Sequence, residues 1–481
     1  MISQDLMAPI MFGGLIVFLL IGYPAAFSLG AVGLFFSFIG IEMGMFQPTF
    51  LQALPDRVFG ILSNDLLLSI PFFTFMGAIL EKCGLAEDML EGLGQLFGPI
   101  RGGLAYAVII VGAILGAITG TVAASVIAMG LISLPIMLRY GYNPRVATGV
   151  IAASGTITQL IPPSLVLIVL ADQLGKSVGD MYAGAIGPSI IQIILFCLFI
   201  LFLSIFRPQD VPALPPEARP KIDWKLFKKI LWGIVPSIAL IFLVLGTILM
   251  GLATPTEGGA MGSVGALVLA AMNGRLQKTL VWDAMTSTMR INAMVIFILI
   301  GSTVFGLAFR GVDGDLWIEH LLSGLPGGQV GFLIVVNLFV FFLAFFLDYF
   351  EIAFIIIPLL APVAQKLGID LIWFGVLLGA NMQTSFMHPP FGFALFYLRG
   401  VAPKSVKSSD IYYGALPWVG LQLILVAIII FVPETVTYFI DKPAIAVDIN
   451  AISVDPLAGV EQNEITVDSS SEIERQLREN K

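Results

Sequence analysis

The sequence predicts an all-α polytopic membrane protein. Its composition, its apolar runs and an internal repeat are the observations that predict this. Of the 481 residues, 58% are hydrophobic and only 12% are charged, and the mean hydropathy is +0.98. Soluble domains carry about 25% charged residues, so this chain has too little charge to cover a surface in water. Its apolar runs are long enough to cross a bilayer, which takes about 20 residues.

The apolar segments give a map of the chain in the membrane. Two stretches, 103–138 and 330–366, are each divided by a polar break into halves of about 17 residues, slightly short for a span. We predict that both are re-entrant helical hairpins, while hydropathy alone also permits two ordinary crossings each. The amphipathic segments 48–64 and 85–97 are predicted to lie along the interface. Ten segments are predicted to cross: 8–22, 24–41, 66–82, 146–171, 182–205, 230–252, 257–272, 286–309, 371–398 and 410–433.

The Lys and Arg residues indicate the orientation of this map. With the N-terminus outside, the inner segments contain sixteen of them, and the outer segments before the C-terminal tail contain four, in agreement with the positive-inside rule. The basic, Pro-rich segment 207–229 then becomes an inner linker. Residues 436–481 are polar and acid-rich and are predicted to form a flexible tail on the outer side.

An internal repeat divides the membrane region into two halves, 1–206 and 230–435. Five crossings separate equivalent points, and an odd number inverts the second copy. Inverted repeats are typical of secondary transporters, which bind substrate and ions near the midplane at discontinuous helices. An offset of 227 pairs Pro99 with Pro326, Pro135 with Pro362, Gly141 with Gly368, Ala153 with Ala380, and Pro162-Pro163 with Pro389-Pro390.

The first candidate site lies where the first half breaks. A Gly-rich break frees backbone carbonyls, and with hydroxyls these suit a hard cation such as Na⁺, whereas a half-helix N-terminus attracts an anion. Packing of small polar residues between helices is the alternative. The predicted Na⁺ ligands are Thr119, Gly120, Thr121, Ser154, Gly155 and Thr156, and the predicted substrate contacts beside them are Thr158 and Gln159.

The second candidate site has the equivalent position in the second half. An ionisable residue at membrane depth is costly and usually functional, which singles out Asp348 and Glu351, although Asp348 could instead cap a helix. The other predicted residues are Asn381, Met382, Thr384 and Ser385 for Na⁺, and Gln383 and His388 for the substrate.

Three further residues are weaker candidates for ion contacts. Glu257 follows Thr254-Pro255-Thr256, which is also the pattern of a helix start. Gly301 and Ser302 are small and polar at mid-helix, where packing is an equal alternative. No phosphate loop, catalytic triad, metal motif or nucleic-acid patch stands out. ATP-driven transport by this chain alone, catalysis, a metal other than Na⁺ and nucleic-acid binding are therefore not expected.

Several of these motifs together resemble the large permease subunit of the tripartite ATP-independent periplasmic (TRAP) transporters. The resemblance extends over about residues 8–435. The motifs are Ser69-Ile70-Pro71-Phe72-Phe73-Thr74-Phe75-Met76-Gly77, Thr119-Gly120-Thr121, Ile161-Pro162-Pro163-Ser164 and Ala253-Thr254-Pro255-Thr256-Glu257.

The resemblance implies a function and two partners. Such subunits reside in the bacterial inner membrane with a small four-helix membrane subunit and a periplasmic substrate-binding protein. They import organic-acid anions by Na⁺ symport through an elevator movement, and they use no cofactor. It implies Na⁺ at Thr119–Thr121 with Ser154–Thr156, and at Asp348 with Asn381–Ser385. Thr-Gly-Thr replaces the family's usual Ser-Gly-Ser, and His388 replaces a usual Thr.

The segment around His388 resembles a subgroup for which 2-oxo acids are plausible substrates. Two other readings remain open. A free-standing Na⁺/dicarboxylate symporter of similar fold would need no binding protein, and an intramembrane enzyme or assembly subunit would transport nothing.

Overall fold

The computed structural model describes residues 4–219, 224–390 and 392–440, and the regular elements in these ranges are helices. The tail predicted for 436–481, and with it the predicted outer C-terminus, lies outside the described residues from Asp441 onward.

The first half begins with two long helices and a short connecting helix that follows a 3₁₀ turn. The helices are α1 (Gln4–Ile21), α2 (Ala25–Glu42), α3 (Leu54–Leu62), α4 (Asp65–Lys82), α5 (Leu85–Phe97), α6 (Gly103–Thr119), α7 (Val122–Arg139), α8 (Pro144–Thr156), α9 (Leu165–Leu174) and α10 (Val178–Phe206).

The second half follows the linker. The helix that begins at Trp224 continues through a π turn to Leu249, and the helix that begins at Tyr349 contains a second π turn. The helices are α11 (Trp224–Ile241), α12 (Pro255–Met272), α13 (Lys278–Gly311), α14 (Gly314–Ser323), α15 (Gly328–Leu343), α16 (Tyr349–Lys366), α17 (Leu371–Met382), α18 (Phe393–Val401), α19 (Ser408–Phe431) and α20 (Glu434–Thr437).

The helix boundaries recur along the chain. Adding 227 to the bounds of α7 gives those of α16, and the same offset takes the start of α8 to the start of α17. The connection from α18 to α19 is three residues longer than that from α9 to α10, so the offset becomes 230 from α10 onward. From the second leg of each hairpin onward, the two halves therefore have the same order of helices and breaks.

Two helix pairs connect the halves through small residues. Helix α2 packs along α13, and α4 packs along α12. The backbone of Phe305 would meet a Cβ on Gly33, and the backbone of Ala26 would meet one on Gly301. Thr256 and Ser263 of α12 donate hydrogen bonds to backbone carbonyls of α4, at 2.7 and 2.8 Å. Small residues permit such close contact between membrane helices.

Each pair of helices predicted to form a hairpin has its two ends close together. The amide of Gly102, before α6, donates to Val211, and that of Asn143, after α7, donates to Asp210, each at 3.0 Å. Both ends of α6–α7 are thus bound to the same linker segment. In the second half, the Gln329 side chain at the start of α15 donates to the Leu367 carbonyl after α16, at 2.8 Å.

Length and apolarity give a smaller number of spans than the ten predicted. Seven of the described helices are long and apolar enough to cross a membrane, or nine if each of two bent pairs counts as one span. Val122–Arg139 and Tyr349–Lys366 are among the seven, although the sequence predicts that both belong to hairpins. The predicted crossings 146–171 and 371–398 are each interrupted, after Gln159 and after Phe386.

Substitution of Gly301 tests the packing of α13 on α2. In Gly301→Ala the new methyl group would overlap the Ala26 carbonyl, and overpacking of this kind costs about 1–3 kcal/mol. We expect a lower midpoint of thermal unfolding in detergent. Gly306→Ala on the same helix is the matched control, because its methyl group would have nothing within 4 Å. Equal midpoints for the two variants would contradict the packing.

Candidate functional site

The first break, which follows α8, is enclosed by the α6–α7 hairpin through glycine contacts. A Cβ on Gly112 would lie 2.7 Å from the Ser154 Cβ, and one on Gly116 would lie 2.9 Å from the Thr158 Cα. On the other side, Gly155 lies directly against Val126 of α7. Residues 154–158 are therefore held between the two legs of the hairpin.

The tip of this hairpin lies at the break between α8 and α9. Gly120 ends α6 with φ of 61°, a conformation that glycine adopts without strain. A Cβ there would lie 3.6 Å from Leu165, the first residue of α9. The structure thus brings the predicted segments 119–121 and 154–156 into one region, although the Thr119 side chain lies outside the described part.

Two hydroxyl groups at the first break have no hydrogen-bond partner among the described residues. Ser154 Oγ and Thr158 Oγ1 are buried and unpaired, as is Gln159 Oε1. Thr156 differs, because its hydroxyl donates to the Ala153 carbonyl at 2.9 Å. Buried polar atoms in proteins are nearly always paired, so unpaired ones require an explanation.

The second break has unpaired polar atoms at the equivalent positions. Asn381 corresponds to Ser154 and Ser385 to Thr158 at the offset of 227, and Asn381 Oδ1 and Ser385 Oγ are buried without a partner in the described structure. The side-chain amide nitrogen of Asn381 donates a hydrogen bond to the backbone carbonyl of Asn337 at 2.7 Å, which fixes the Asn381 side chain. Thr384, like Thr156, donates to the carbonyl three residues earlier, at 2.7 Å. Met382 is buried beside them.

Asp348 begins α16 as its N-cap. Its carboxylate accepts a hydrogen bond from the Glu351 amide at 2.9 Å, and the Glu351 carboxylate accepts one from the Asp348 amide at 3.1 Å. Both residues line a cavity of about 350 Å³ beside the start of α2 and the middle of α13. The next residue, Tyr349, has its ring centroid 6.2 Å from that of Phe386, so this hairpin tip reaches the second break.

His388 lies between two aromatic rings. The ring centroids of Phe341 and Phe345 are 4.4 and 4.1 Å from that of His388. Neither imidazole nitrogen has a hydrogen-bond partner among the described residues. The Gln383 side-chain nitrogen is also buried and unpaired, so two predicted substrate contacts carry free polar atoms.

The other candidates have local partners. Glu257 and Thr254 form a capping box at the start of α12, with Thr254 N to Glu257 Oε2 at 2.8 Å. Gly301 packs against Ala26, and Ser302 donates to the Leu299 carbonyl at 3.0 Å.

Two buried glutamines, Gln192 and Gln422, were missed by the sequence analysis. The side-chain amide of Gln192 in α10 donates a hydrogen bond to Gln383 at 2.7 Å. A residue of the first half is thus bonded to the break in the second half. The side-chain amide of Gln422 in α19 donates a hydrogen bond to the Thr156 hydroxyl at 2.9 Å, which bonds a residue of the second half to the break in the first half. Gln192 and Gln422 are equivalent at the offset of 230, and Thr156 and Gln383 at 227. A repeat search that allowed for the longer loop would have found the pair.

Comparisons with known proteins identify the family. A sequence profile described as "Tripartite ATP-independent periplasmic transporter, DctM component" matches residues 12–435. The chain belongs to this family. The resemblance to TRAP large permease subunits is thereby confirmed, and the relatives of this DctM-family chain are transport permeases rather than enzymes.

Named relatives cover most of the DctM-family chain. The "C4-dicarboxylate TRAP transporter large permease protein DctM" of Rhodobacter capsulatus is 29% identical, over 89% of this chain and 97% of the relative. The "Isethionate TRAP transporter permease protein DctMQ" of Oleidesulfovibrio alaskensis is 26% identical, over 90% and 66%. The "Sialic acid TRAP transporter permease protein SiaT" of Haemophilus influenzae is 24% identical, over 88% and 66%.

A solved structure has a similar fold. The YdaH transporter of Alcanivorax borkumensis aligns with a TM-score of 0.56 at 16% identity, over 79% of this chain and 86% of YdaH. At this identity the likeness concerns the fold alone.

The hydrogen bond between Gln192 and Gln383 can be tested by a double-mutant cycle. Gln192→Leu and Gln383→Leu should each lower the thermal midpoint, because a buried amide left unpaired costs about 1–3 kcal/mol. The double variant should lower the thermal midpoint by less than the sum of the two single effects. It removes both amides together, so neither is left without its partner. Gln52→Leu at an exposed position is the control. Strictly additive losses would contradict a direct bond.

Proposed function

We propose that this chain is the large membrane subunit of a Na⁺-coupled, binding-protein-dependent TRAP transporter that imports an organic-acid anion. The observation that carries the Na⁺ coupling is a pair of buried, unpaired oxygens at equivalent positions of the two helix breaks, Ser154 Oγ and Asn381 Oδ1.

Na⁺ fits the chemistry of these two breaks. The unpaired atoms are hydroxyl or side-chain amide oxygens, which are hard ligands for a cation. Backbone carbonyls that are freed where the helices end lie beside them. At the first break, the ligands would come from Thr119–Thr121 and Ser154–Thr156. At the second, they would come from Asn381–Ser385, with Asp348 at the hairpin tip. The bound cation would supply the partner that the buried oxygens lack.

The substrate would be a small carboxylate or related acid. The relatives' names specify a C4-dicarboxylate, isethionate and sialic acid, which are all anionic at neutral pH. The unpaired nitrogens of Gln383 and His388 can donate hydrogen bonds to such a group, and Thr158 and Gln159 lie at the equivalent break. A 2-oxo acid belongs to the same class.

The proposed mechanism is an elevator movement of inverted repeats. Hydrogen bonds join the ends of each hairpin, at residues 102 and 143 through the linker and at residues 329 and 367 directly. A hairpin whose ends meet enters and leaves on one side of the membrane. The moving part would comprise the hairpins and broken helices, and the fixed part the packed pairs α2–α13 and α4–α12.

The proposed assembly includes a small membrane subunit and a periplasmic binding protein in the bacterial inner membrane. The isethionate and sialic acid relatives extend beyond the matched region, because this chain covers 66% of each. The N-terminus would be periplasmic. A free-standing Na⁺/dicarboxylate symporter of similar fold is the second candidate; YdaH, which has a similar fold, is described only as a transporter.

Reconstitution distinguishes the two candidates. The chain would be placed in liposomes with the small subunit, and uptake of a radiolabelled organic-acid panel measured under an inward Na⁺ gradient. We expect uptake only when both Na⁺ and the binding protein are present. Na⁺-driven uptake without the binding protein would instead support the free-standing symporter.

Removal of the unpaired oxygens tests the Na⁺ sites. Ser154→Ala and Asn381→Ala should each raise the Na⁺ concentration for half-maximal uptake, because each removes one hard ligand. Ser204→Ala is the control, since this half-buried serine donates a hydrogen bond to a carbonyl of its own helix and lies outside both breaks. Unchanged Na⁺ activation in both site variants would rule out these ligands.

Asp348→Asn separates charge from helix capping. Asn and Asp are about equal as N-caps, so we expect the thermal midpoint to stay within about 2 °C of the wild type, since about 1 kcal/mol shifts a domain of this size by 2–4 °C or less. Uptake should nevertheless fall, because the carboxylate charge is lost. Wild-type uptake would restrict Asp348 to capping.

A further inference from the structure

A second cavity, of about 360 Å³, lies between elements of the proposed fixed and moving parts. Helices α3, α4 and α13 form one wall, and α9 and α16 form the other. We call it the outer cavity, because the proposed orientation puts these helix ends on the periplasmic side. Its polar lining consists of Arg57, Asn64, Asp172, Gln173, Ser302, Thr303 and Arg310.

The charges in the outer cavity favour an anion. Arg57 and Arg310 form no ion pair with any residue in the described ranges, and both are exposed to the cavity and to solvent. The Asp172 carboxylate accepts hydrogen bonds from Asn64 at 2.6 Å and from Gln173 at 2.8 Å. Two guanidinium groups are therefore free for a ligand, while the carboxylate is already held by amide groups.

The surrounding outer segments make this concentration of positive charge unusual. They contain four basic residues before the tail: Arg57, Lys176, Arg310 and Lys366. They contain eleven acidic residues: Asp5, Glu42, Asp56, Asp65, Asp172, Asp180, Asp313, Asp315, Glu319, Asp370 and Glu434. Lys366 is paired with Glu319 at 2.5 Å. Two of the three remaining cations thus line one cavity on an otherwise acidic side.

We propose that the outer cavity is an entry site for an anionic substrate, which Arg57 and Arg310 bind through its carboxylate before it reaches the helix breaks. Guanidinium groups bind carboxylates through paired hydrogen bonds, and a cleft of one charge sign concentrates ligands of the opposite sign. Ser302 and Thr303 add hydroxyl groups to the same wall. This inference rests on the proposed function for its substrate class and its orientation.

A charge-selective labelling experiment tests the cavity without a known substrate. Ser302→Cys would be introduced into the full chain, with the native thiols removed by Cys83→Ala and Cys197→Ala. The modification rates by an anionic and a cationic methanethiosulfonate, applied from the periplasmic side, give a ratio that reports the local potential. We expect Arg57→Gln with Arg310→Gln to lower the anionic-to-cationic ratio about tenfold, and added salt to reduce the difference.

Lys176→Gln is the matched control, because it removes one exposed positive charge from the same side outside the cavity. It should leave the ratio unchanged. An unchanged ratio in the double arginine variant, or an equal loss in the lysine variant, would overturn the entry site. The labelling needs neither Na⁺ nor substrate, so these results would leave the proposed symport intact.

An uptake measurement gives the second reading. In the reconstituted transporter, the double arginine variant should raise KM for the organic acid that the wild type transports and leave the maximal rate near its wild-type value. Binding of the periplasmic protein to the membrane subunits, measured separately, should not change. An unchanged KM would overturn the entry site, whereas absence of wild-type Na⁺-driven uptake would instead overturn the proposed function.

Discussion

The scarcity of hydrogen-bond partners inside a membrane is the constraint on which the rest of this structure depends. A helix that breaks in the hydrocarbon region must have its freed groups satisfied by protein, water or a ligand. Here the breaks after α8 and α17 are enclosed by residues from elsewhere in the fold, chiefly the glycines of α6 and Asn337, whose backbone carbonyl accepts a hydrogen bond from the Asn381 side chain. Among the described residues, Ser154 and Thr158 at the first break and Asn381 and Ser385 at the second have buried oxygens that stay unpaired at equivalent positions. These groups are available to a cation and to an anionic substrate.

The halves also depend on each other. Gln192 and Gln422 each bond to a break in the opposite half, so neither break has its full set of contacts within its own repeat. The hairpin tips differ: Thr121 at the first corresponds to Asp348 at the second, which adds a capping box with Glu351. The two candidate ion sites therefore share a backbone plan but have different charges.

The sequence predicted the helical membrane class, both breaks and the family, because apolar runs and paired prolines are local signals. It did not predict Gln192, Gln422 or Asn337, since a polar residue within a helix gives no local sign of its partner in another. Glu257 and Gly301 were ambiguous for the opposite reason: capping and packing use the same residue types as ion binding. The structure describes a capping box at Glu257 and close packing at Gly301.

Direct binding of Na⁺ to the purified protein is the measurement closest to the central claim. Thermal midpoints would be compared in NaCl and in choline chloride of equal ionic strength, for the wild type and for a variant carrying Ser154→Ala and Asn381→Ala. A ligand that binds only the folded state raises its stability. The account predicts a saturable rise with Na⁺ in the wild type and little or none in the variant. Equal midpoints in the two salts for the wild type, or the same Na⁺ response in the variant, would contradict it.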